Sequence, residues 1–290
     1  MENILEIKNL SKSYNNFQLN DVNFTLRKGY IMGFVGPNGA GKTTTIKLIM
    51  NLIKKSSGEI KIFGLDNLEY EKEIKNRIGF VYDDLNFYDT FSLKNNAKLI
   101  ADFYDKWSWN TFNNYMEKFK INEDQKFKEL SKGMKAKFAL ALALSHDAEL
   151  LIMDEPTSGL DPIFRNEIIN ILQEYIEDGS RSILFSSHII SDIEKMADYI
   201  TFINNGEIVF SEDKNLLEDT YRIVKGGLDI LDNKLENECI KIKRNKYGFS
   251  GLTSNYKNLI EKYGSDIVID KPDIEEIMIY MAGDNEWKRQ

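Results

Sequence analysis

The chain has 290 residues, of which 42% are hydrophobic, enough for one large domain or a domain with an appendage. Its 46 acidic and 38 basic side chains give a formal net charge of −8, which disfavours nucleic acid as a partner because nucleic-acid binders usually carry a basic stripe. The single Cys239 excludes an intramolecular disulfide and a cysteine-rich zinc site, and we expect it to be a small buried apolar side chain.

The sequence predicts neither a targeting segment nor a membrane-spanning segment. Residues 1–6 lack the basic start and the long apolar core of a signal peptide. The longest apolar stretch, 138–145, is far shorter than the roughly 18 residues that a spanning helix needs. We therefore expect a cytosolic chain that is soluble or docks on a membrane protein.

The first elements predicted are two strands of alternating apolar and polar side chains, Ile4 to Leu10 and Phe17 to Leu26. Tyr14 lies in the polar turn between them. Its ring has the chemistry to stack on a purine, but the residues alone favour packing or a solvated turn.

A glycine-rich loop follows the apolar run at 31–35. Residues 36–44 match G-x-x-x-x-G-K-[ST], and a helical pattern of apolar residues at 46, 49, 50 and 53 comes next. Strand, loop and helix in this order are typical of a phosphate-binding loop, because the glycines let backbone N–H groups point inward and the helix N-terminus adds positive charge. The loop predicts binding of a nucleoside triphosphate.

The loop residues expected to bind the nucleotide are Gly36, Pro37, Asn38, Gly39, Ala40, Gly41, Lys42, Thr43 and Thr44. We expect Lys42 to contact the β- and γ-phosphates and Thr43 to place its hydroxyl on Mg²⁺.

Strands are predicted at 59–63 and 77–82, and then the composition changes. The segment 86–119 is rich in aromatic side chains, among them Phe87, Tyr88 and Phe91. These rings either form the core of a helical subdomain or include a docking patch for a partner.

Polar residues of catalytic type follow two apolar strands in the second half. The strand 149–153 ends in Asp154 and Glu155, placed to hold Mg²⁺ through water and to polarise an attacking water. The strand 182–185 delivers His188, which can contact a γ-phosphate. The other histidine, His146, is expected at the surface. A helix capped by Ser131 precedes these strands, and another covers 162–177.

The rest of the chain predicts a helix at 190–197, a hairpin around Asn204-Asn205-Gly206, and then a change of pattern near residue 215. Short strands at 221–224, 239–243 and 266–269, with helices at 254–263 and 273–281, indicate a small α+β appendage. It contains no catalytic constellation.

The order of these motifs resembles the ATPase subunit of ABC transporters over roughly residues 4–210. Residues 36–44 match the Walker A loop, 130–134 the LSGGQ-type signature, and 150–155 the Walker B strand with its acid pair. Residues 158–161 match the D-loop, and His188 the switch histidine. The unbroken run 151–162 is close to diagnostic of the family.

The resemblance implies a P-loop NTPase core with an ABC-type antiparallel β subdomain. It implies an ATPase domain at 1–217 with a helical subdomain at about 86–150, and leaves 218–290 as the α+β appendage. The implied cofactors are ATP and Mg²⁺. It also implies that Tyr14 stacks on adenine and that Ser131 and Gly133 cap a γ-phosphate.

Two positions depart from the family pattern. Asp83 stands where the family usually has glutamine, and we expect it to act in catalysis as a metal- or water-coupled residue. In the signature, Lys132 and Met134 replace glycine and glutamine, and the added charge of Lys132 is compatible with phosphate binding. The predicted catalytic residues are Lys42, Asp83, Glu155 and His188, and the predicted metal ligands are Thr43, Asp83 and Asp154.

In the family, the signature of one subunit completes the ATP site of another. The resemblance therefore implies a head-to-tail dimer with a second ATPase subunit, identical or related. It also implies separate membrane-spanning subunits, which hold this chain at the inner face of the cell membrane. It predicts ATP hydrolysis that powers transport, with export favoured by analogy. The alternatives are a soluble ABC ATPase acting on ribosomes or DNA and a nucleotide-sensing regulator with slow hydrolysis.

Overall fold

The computed structural model describes residues 2–83 and 87–282, and the chain divides into two compact units, Met1–Ile208 and Val209–Gln290. The strands that begin in the first unit are β1 (Asn3–Ser13), β2 (Gln18–Arg27), β3 (Ile31–Val35), β4 (Ser57–Ile62), β5 (Leu65–Asp66), β6 (Ile78–Val81), β7 (Leu150–Met153), β8 (Ser182–Ser187), β9 (Tyr199–Asn204) and β10 (Glu207–Asp213). Its α-helices are α1 (Lys42–Ile49), α2 (Glu71–Asn76), α3 (Leu93–Ala101), α4 (Trp109–Lys118), α5 (Lys132–Ala143), α6 (Pro162–Ile176) and α7 (Ile190–Met196).

Five strands of the first unit belong to a six-stranded sheet in the order β10-β9-β3-β8-β7-β6, whose edge strand β10 begins at the end of that unit. The neighbouring pairs from β9 to β6 are parallel. Every residue of β3, β7 and β8 is buried, as expected for parallel strands covered on both faces. Because parallel strands end at the same edge, the loops after β3, β6, β7 and β8 meet there, and these loops carry the predicted site residues.

An antiparallel sheet in the order β2-β1-β4-β5 accompanies the parallel one. Strand β1 is central and pairs Ile7 with Phe24 on one side and with Ile60 on the other. All three side chains are buried, so the alternation read from the sequence is the alternation of a sheet with one apolar face.

Helices α3, α4 and α5 form the region predicted as a helical subdomain. Its core is aromatic, since Phe112, Phe127 and Phe138 are fully buried. The Phe87 ring packs edge-on against Phe127 and Phe138, with ring centroids 4.9 and 5.3 Å apart. These four rings therefore hold the subdomain together, whereas Tyr88 and Phe91 are exposed. The predicted limit of this subdomain at residue 86 lies outside the described residues.

The predicted surface position of His146 is wrong. The side chain is 1% exposed, its Nε2 lies 3.0 Å from the Ile78 carbonyl oxygen, and its ring stacks on Tyr104. Burial lowers the pKa of His146 below its ordinary value. The polar neighbours in the sequence favour a surface position, but the segment after α5 brings His146 against the start of β6 instead of into water.

The second unit is built on an antiparallel sheet in the order β12-β13-β11-β14. Its elements are α8 (Lys214–Thr220), β11 (Arg222–Gly226), α9 (Asn233–Asn237), β12 (Lys241–Asn245), β13 (Gly248–Thr253), α10 (Tyr256–Tyr263), β14 (Ile267–Asp270) and α11 (Ile274–Ala282). The core includes Val224, Leu235, Phe249 and Leu259. We propose that this unit is the predicted appendage; residues 283–290 lie outside the described part of the chain.

The sequence did not predict β13, because two glycines weaken the strand pattern. One of them has a packing role. A side chain on Gly251 would bring its Cβ within 2.9 Å of the Cys239 sulfur, so glycine leaves room for that thiol. Cys239 is half-buried, and burial raises its pKa to about 11. Across residues 2–83 and 87–282, we find no helix with the length and apolar character needed to cross a membrane.

Candidate functional site

The glycine-rich loop leads from the end of β3 directly into α1. Gly41 has a φ of 116° and Gly39 a φ of 80°, both in the left-handed region that favours glycine. At Gly36, a Cβ would collide with the Ile203 carbonyl oxygen, so this position accepts no side chain. The three glycines therefore allow the tight curl that the motif predicts.

The Lys42 side chain folds back across the loop that precedes it. It is 6% exposed, and its Nζ donates hydrogen bonds to the carbonyl oxygens of Gly36 at 2.7 Å and Pro37 at 3.3 Å. The same ammonium lies 3.3 Å from Glu155 Oε1. A cation is thus held where the loop can present it to phosphate oxygens.

Asp154 lies at the end of β7 and is 1% exposed. The Ser186 hydroxyl donates to Asp154 Oδ1 at 2.6 Å and accepts from the Glu155 N–H at 2.9 Å. The pKa of Asp154 is raised above its ordinary value, mainly because the carboxyl group is buried. The Ser186 hydrogen bond and the nearby Thr43 hydroxyl oppose this shift, whereas the negative charges of Glu155 and Asp83 add to it.

The second carboxylate oxygen of Asp154 is suited to bind a metal ion. Oδ2 is buried and has no hydrogen-bond partner within the described residues, and the Thr43 hydroxyl lies nearby. A lone buried carboxylate oxygen is costly unless a cation or donor meets it. The described residues contain no cluster of three or more acidic, histidine or cysteine side chains able to hold a metal. Mg²⁺ takes one or two carboxylates and completes its shell with water and phosphate, so Asp154 Oδ2 has the chemistry of one of its ligands.

Glu155 and His188 meet above this carboxylate. His188 Nδ1 lies 2.7 Å from Glu155 Oε2, so each Glu155 oxygen has one partner, Lys42 or His188. The Glu155 backbone has a φ of 50°, unusual for a residue with a side chain, and its N–H is held by Ser186. A carboxylate is thereby aimed at the mouth of the phosphate loop, beside a lysine and a histidine.

Lys42, Glu155 and His188 line an open pocket of about 830 Å³, and Asp154 lines a smaller pocket that shares Glu155 with it. The predicted residues among its walls are Pro37, Asn38, Gly39, Gly41, Lys42, Thr43, Thr44, Asp83, Glu155 and His188. The pocket is large enough for the phosphates and ribose of a nucleotide. The loops after β3, β6, β7 and β8 thus contribute to one site, as their strand ends predict.

Comparison with known proteins identifies this arrangement. The family model "ABC transporter" matches residues 19–158. The bacitracin transport ATP-binding protein BcrA of Bacillus licheniformis is 36% identical over 212 residues, which cover 72% of this chain and 69% of that protein. The chain belongs to the ABC transporter family.

Two further ABC proteins extend the match. The lantibiotic transport ATP-binding protein SrtF of Streptococcus pyogenes is 36% identical over 213 residues, which cover 72% of this chain and 91% of SrtF. The solved structure of an ATP binding subunit of an ABC transporter superposes with a TM-score of 0.67 at 27% identity, covering 72% of this chain and 90% of that chain. The predicted family, P-loop fold and ATPase function are confirmed: the chain binds and hydrolyses ATP as a transporter subunit.

Tyr14, predicted to stack on adenine, lies outside the pocket wall in this ABC protein. Its side chain is 48% exposed, with the Lys12 ammonium 5.1 Å from the ring centroid. The turn places Asn16 and Phe17 in the wall instead. A Cβ on Gly41 would lie 3.1 Å from the Phe17 ring, so this aromatic side chain packs directly on the phosphate loop.

The sequence also missed Ser186, which holds both acidic residues of the ABC site. The sequence does contain a pattern that points to it, since two serines interrupt the apolar run of β8 directly before His188. Both serines are fully buried. Buried hydroxyls need hydrogen-bond partners, and a strand end beside an acid pair supplies them.

Within the described part of the chain, Ser131 and Gly133 of the ABC signature are not among the walls of the phosphate-loop pocket. Ser131 caps α5 by accepting a hydrogen bond from the Met134 N–H at 3.3 Å, and Gly133 lies beside Phe164. Lys132 reaches toward Gly159, where an added Cβ would lie 2.7 Å from its ammonium. A second pocket, of about 210 Å³, brings Lys132 to the wall that also contains Glu155.

Proposed function

We propose that this chain drives an exporter-type ABC transporter from the inner face of the cell membrane, in complex with separate membrane-spanning subunits. The observation that carries the mechanism is the line of contacts from Lys42 to Glu155 to His188 at the mouth of the phosphate loop. Two relatives are named for bacitracin transport and for lantibiotic transport, and these names support a transported compound of a similar kind.

In the proposed reaction, Lys42 and the N–H groups of the loop bind the phosphates of ATP. Glu155 accepts a proton from the attacking water, and His188 holds the Glu155 carboxylate in place and contacts the γ-phosphate. Thr43, Asp83 and Asp154 are the residues that would hold Mg²⁺, which when bound neutralises phosphate charge.

Asp83 provides a direct test of this arrangement, since it lines the pocket at the end of β6 and adds charge beside Asp154. We expect Asp83→Ala to lower kcat about tenfold and to change ATP affinity less than threefold, because positioning is lost but the phosphate contacts remain. Steady-state hydrolysis and nucleotide titration measure the two effects. Asp89→Ala, exposed in the nearby turn, is the matched control. An equal loss of affinity and rate would contradict the positioning role.

The proposed active assembly is a head-to-tail dimer of ATPase subunits, identical or related. Ser131 and Gly133 are absent from the wall of the phosphate-loop pocket within the described chain. A signature that caps a γ-phosphate must therefore be supplied by a second subunit. Ser131 is exposed and caps the start of α5, so its hydroxyl and the positive helix terminus face outward.

The proposed contact with the membrane subunits is an apolar groove of about 460 Å³ on the helical subdomain. Its walls include Tyr88, Leu99 and Phe103, and the Phe103 side chain is 80% exposed. Phe87, one of the rings for which the sequence allows either a core or a docking role, contributes to this wall but also packs into the aromatic core. Replacing it would therefore disturb folding as well as docking.

A docking test should use the exposed rings instead. We expect the double variant Tyr88→Ser and Phe103→Ser to keep its ATPase rate and to co-purify with its membrane partner at least tenfold less, because apolar contact area at the interface is removed. Tyr247→Ser is the matched control, since that ring is 82% exposed in the other unit. Full co-purification of the folded double variant would show that the groove does not bind the membrane subunits.

A further inference from the structure

A buried hydrogen bond lies behind the pair formed by Glu155 and His188. The Thr157 hydroxyl donates to Asp192 Oδ2 at 2.6 Å, and both side chains are almost fully buried. Thr157 follows Glu155 by two residues, and Asp192 follows His188 by four. The bond therefore joins the segment that carries the carboxylate to the segment that carries the histidine.

The two segments leave adjacent strands. β7 and β8 are paired in parallel up to Met153 and Phe185, and each chain segment then turns away into its own helix. Beyond the last paired residues, the contact between His188 and Glu155 and the bond between Thr157 and Asp192 span the same gap. The first faces the pocket, and the second is inside the protein.

Stability alone does not explain a carboxylate at Asp192. Its Oδ1 has no hydrogen-bond partner among the described residues, and the nearest cation, Arg165 Nε, is 3.9 Å from Oδ2. Burying a charge with one short hydrogen bond costs desolvation, and an apolar pair of similar shape often gives equal or greater stability. The directional bond supplies what an apolar pair lacks, a fixed distance between the two segments.

The backbone conformation of Glu155 depends on contacts that hold its segment at a fixed distance. Its φ of 50° is a strained conformation for a residue with a side chain, and such conformations persist only where neighbouring contacts hold them. The Ser186 hydroxyl holds the Glu155 N–H, and the Ser158 N–H donates to the Glu155 carbonyl at 3.1 Å. Thr157 lies between these two anchors and attaches the turn to the protein interior.

We propose that Thr157 and Asp192 are positioning residues for hydrolysis. Their hydrogen bond sets the spacing of the two loops, keeps Glu155 within reach of His188, and so holds the carboxylate toward the phosphate loop. The inference rests on the proposed role of Glu155 as the group that accepts the proton of the attacking water.

Thr157→Val tests the inference, because it keeps the shape of the side chain and removes the hydroxyl. We expect kcat to fall about tenfold, since a displacement on the order of 1 Å of a catalytic group is costly. ATP affinity and the number of ATP sites per purified chain should stay within twofold, because the phosphate loop is unchanged. Thr157→Ser restores a hydroxyl and should recover most of the rate. A purely structural role would lower the number of ATP sites along with the rate.

A second variant covers the case in which Thr157→Val fails to fold. Combining it with Asp192→Leu replaces both partners by apolar groups, which removes the unpaired buried charge. We expect this double variant to fold, to bind ATP and to remain about tenfold slow. A folded double variant at the wild-type rate, or a Thr157→Ser variant as slow as the valine, would overturn the inference.

Glu155→Gln, assayed beside these variants, distinguishes a failure of the positioning inference from a failure of the proposed role of Glu155. If Glu155→Gln is inactive while Thr157→Val is fully active, only the positioning inference fails. If Glu155→Gln hydrolyses ATP at the wild-type rate, the proposed role of Glu155 fails, and the positioning inference fails with it.

Discussion

Replacing Lys42 by alanine is expected to abolish productive ATP binding. The side chain is nearly buried, with its ammonium held by two carbonyl oxygens of the loop that would receive the phosphates. Charge-assisted hydrogen bonds are worth ~1.5–3 kcal/mol each, so loss of those to two phosphates should weaken binding by at least about a hundredfold. Titration with a fluorescent ATP analogue measures the effect.

The matched control for this variant is Lys54→Ala. Lys54 is exposed in the loop that follows α1, so its replacement removes the same charge from outside the pocket. We expect the control to bind ATP at wild-type strength. Wild-type affinity in Lys42→Ala itself would show that the phosphates bind elsewhere.

Glu155→Gln is expected to keep ATP and lose hydrolysis. The amide has nearly the shape of the carboxylate but cannot accept the proton, so the rate should fall by about a hundredfold or more. The change also removes the negative charge 3.3 Å from Lys42, which leaves that ammonium freer for phosphate. ATP affinity should therefore hold or rise, and the dimer should persist in ATP and Mg²⁺ when its size is measured in solution. Glu59→Gln, exposed on β4, is the control.

Features that depend on local chain chemistry were predicted from the sequence. The phosphate loop was predictable because Gly39 and Gly41 adopt backbone conformations that few other residues tolerate. The position of Asp154 and His188 at one edge of the sheet followed from apolar strands that end in polar residues. Both are properties of short stretches, and neither requires knowledge of distant contacts.

Features that depend on contacts between distant segments were not predicted. Phe17 reaches the phosphate loop because β1 and β2 place their turn beside α1, and the strand pattern alone does not reveal this. His146 is buried because the segment after α5 places its ring beside the Ile78 carbonyl oxygen. The bond between Thr157 and Asp192 joins residues far apart in the chain whose types would equally suit a solvated loop.

Phosphate release by purified Glu155→Gln in a single turnover, with ATP and Mg²⁺ prebound, tests the central claim most directly. The claim is that this ABC subunit binds ATP through Lys42 and hydrolyses it through Glu155. It predicts that the wild-type protein releases phosphate, whereas the variant retains intact ATP over at least a hundred times the wild-type turnover time. Phosphate release from the variant at the wild-type rate would contradict the claim. A wild-type protein that bound ATP without releasing phosphate would instead be a nucleotide sensor.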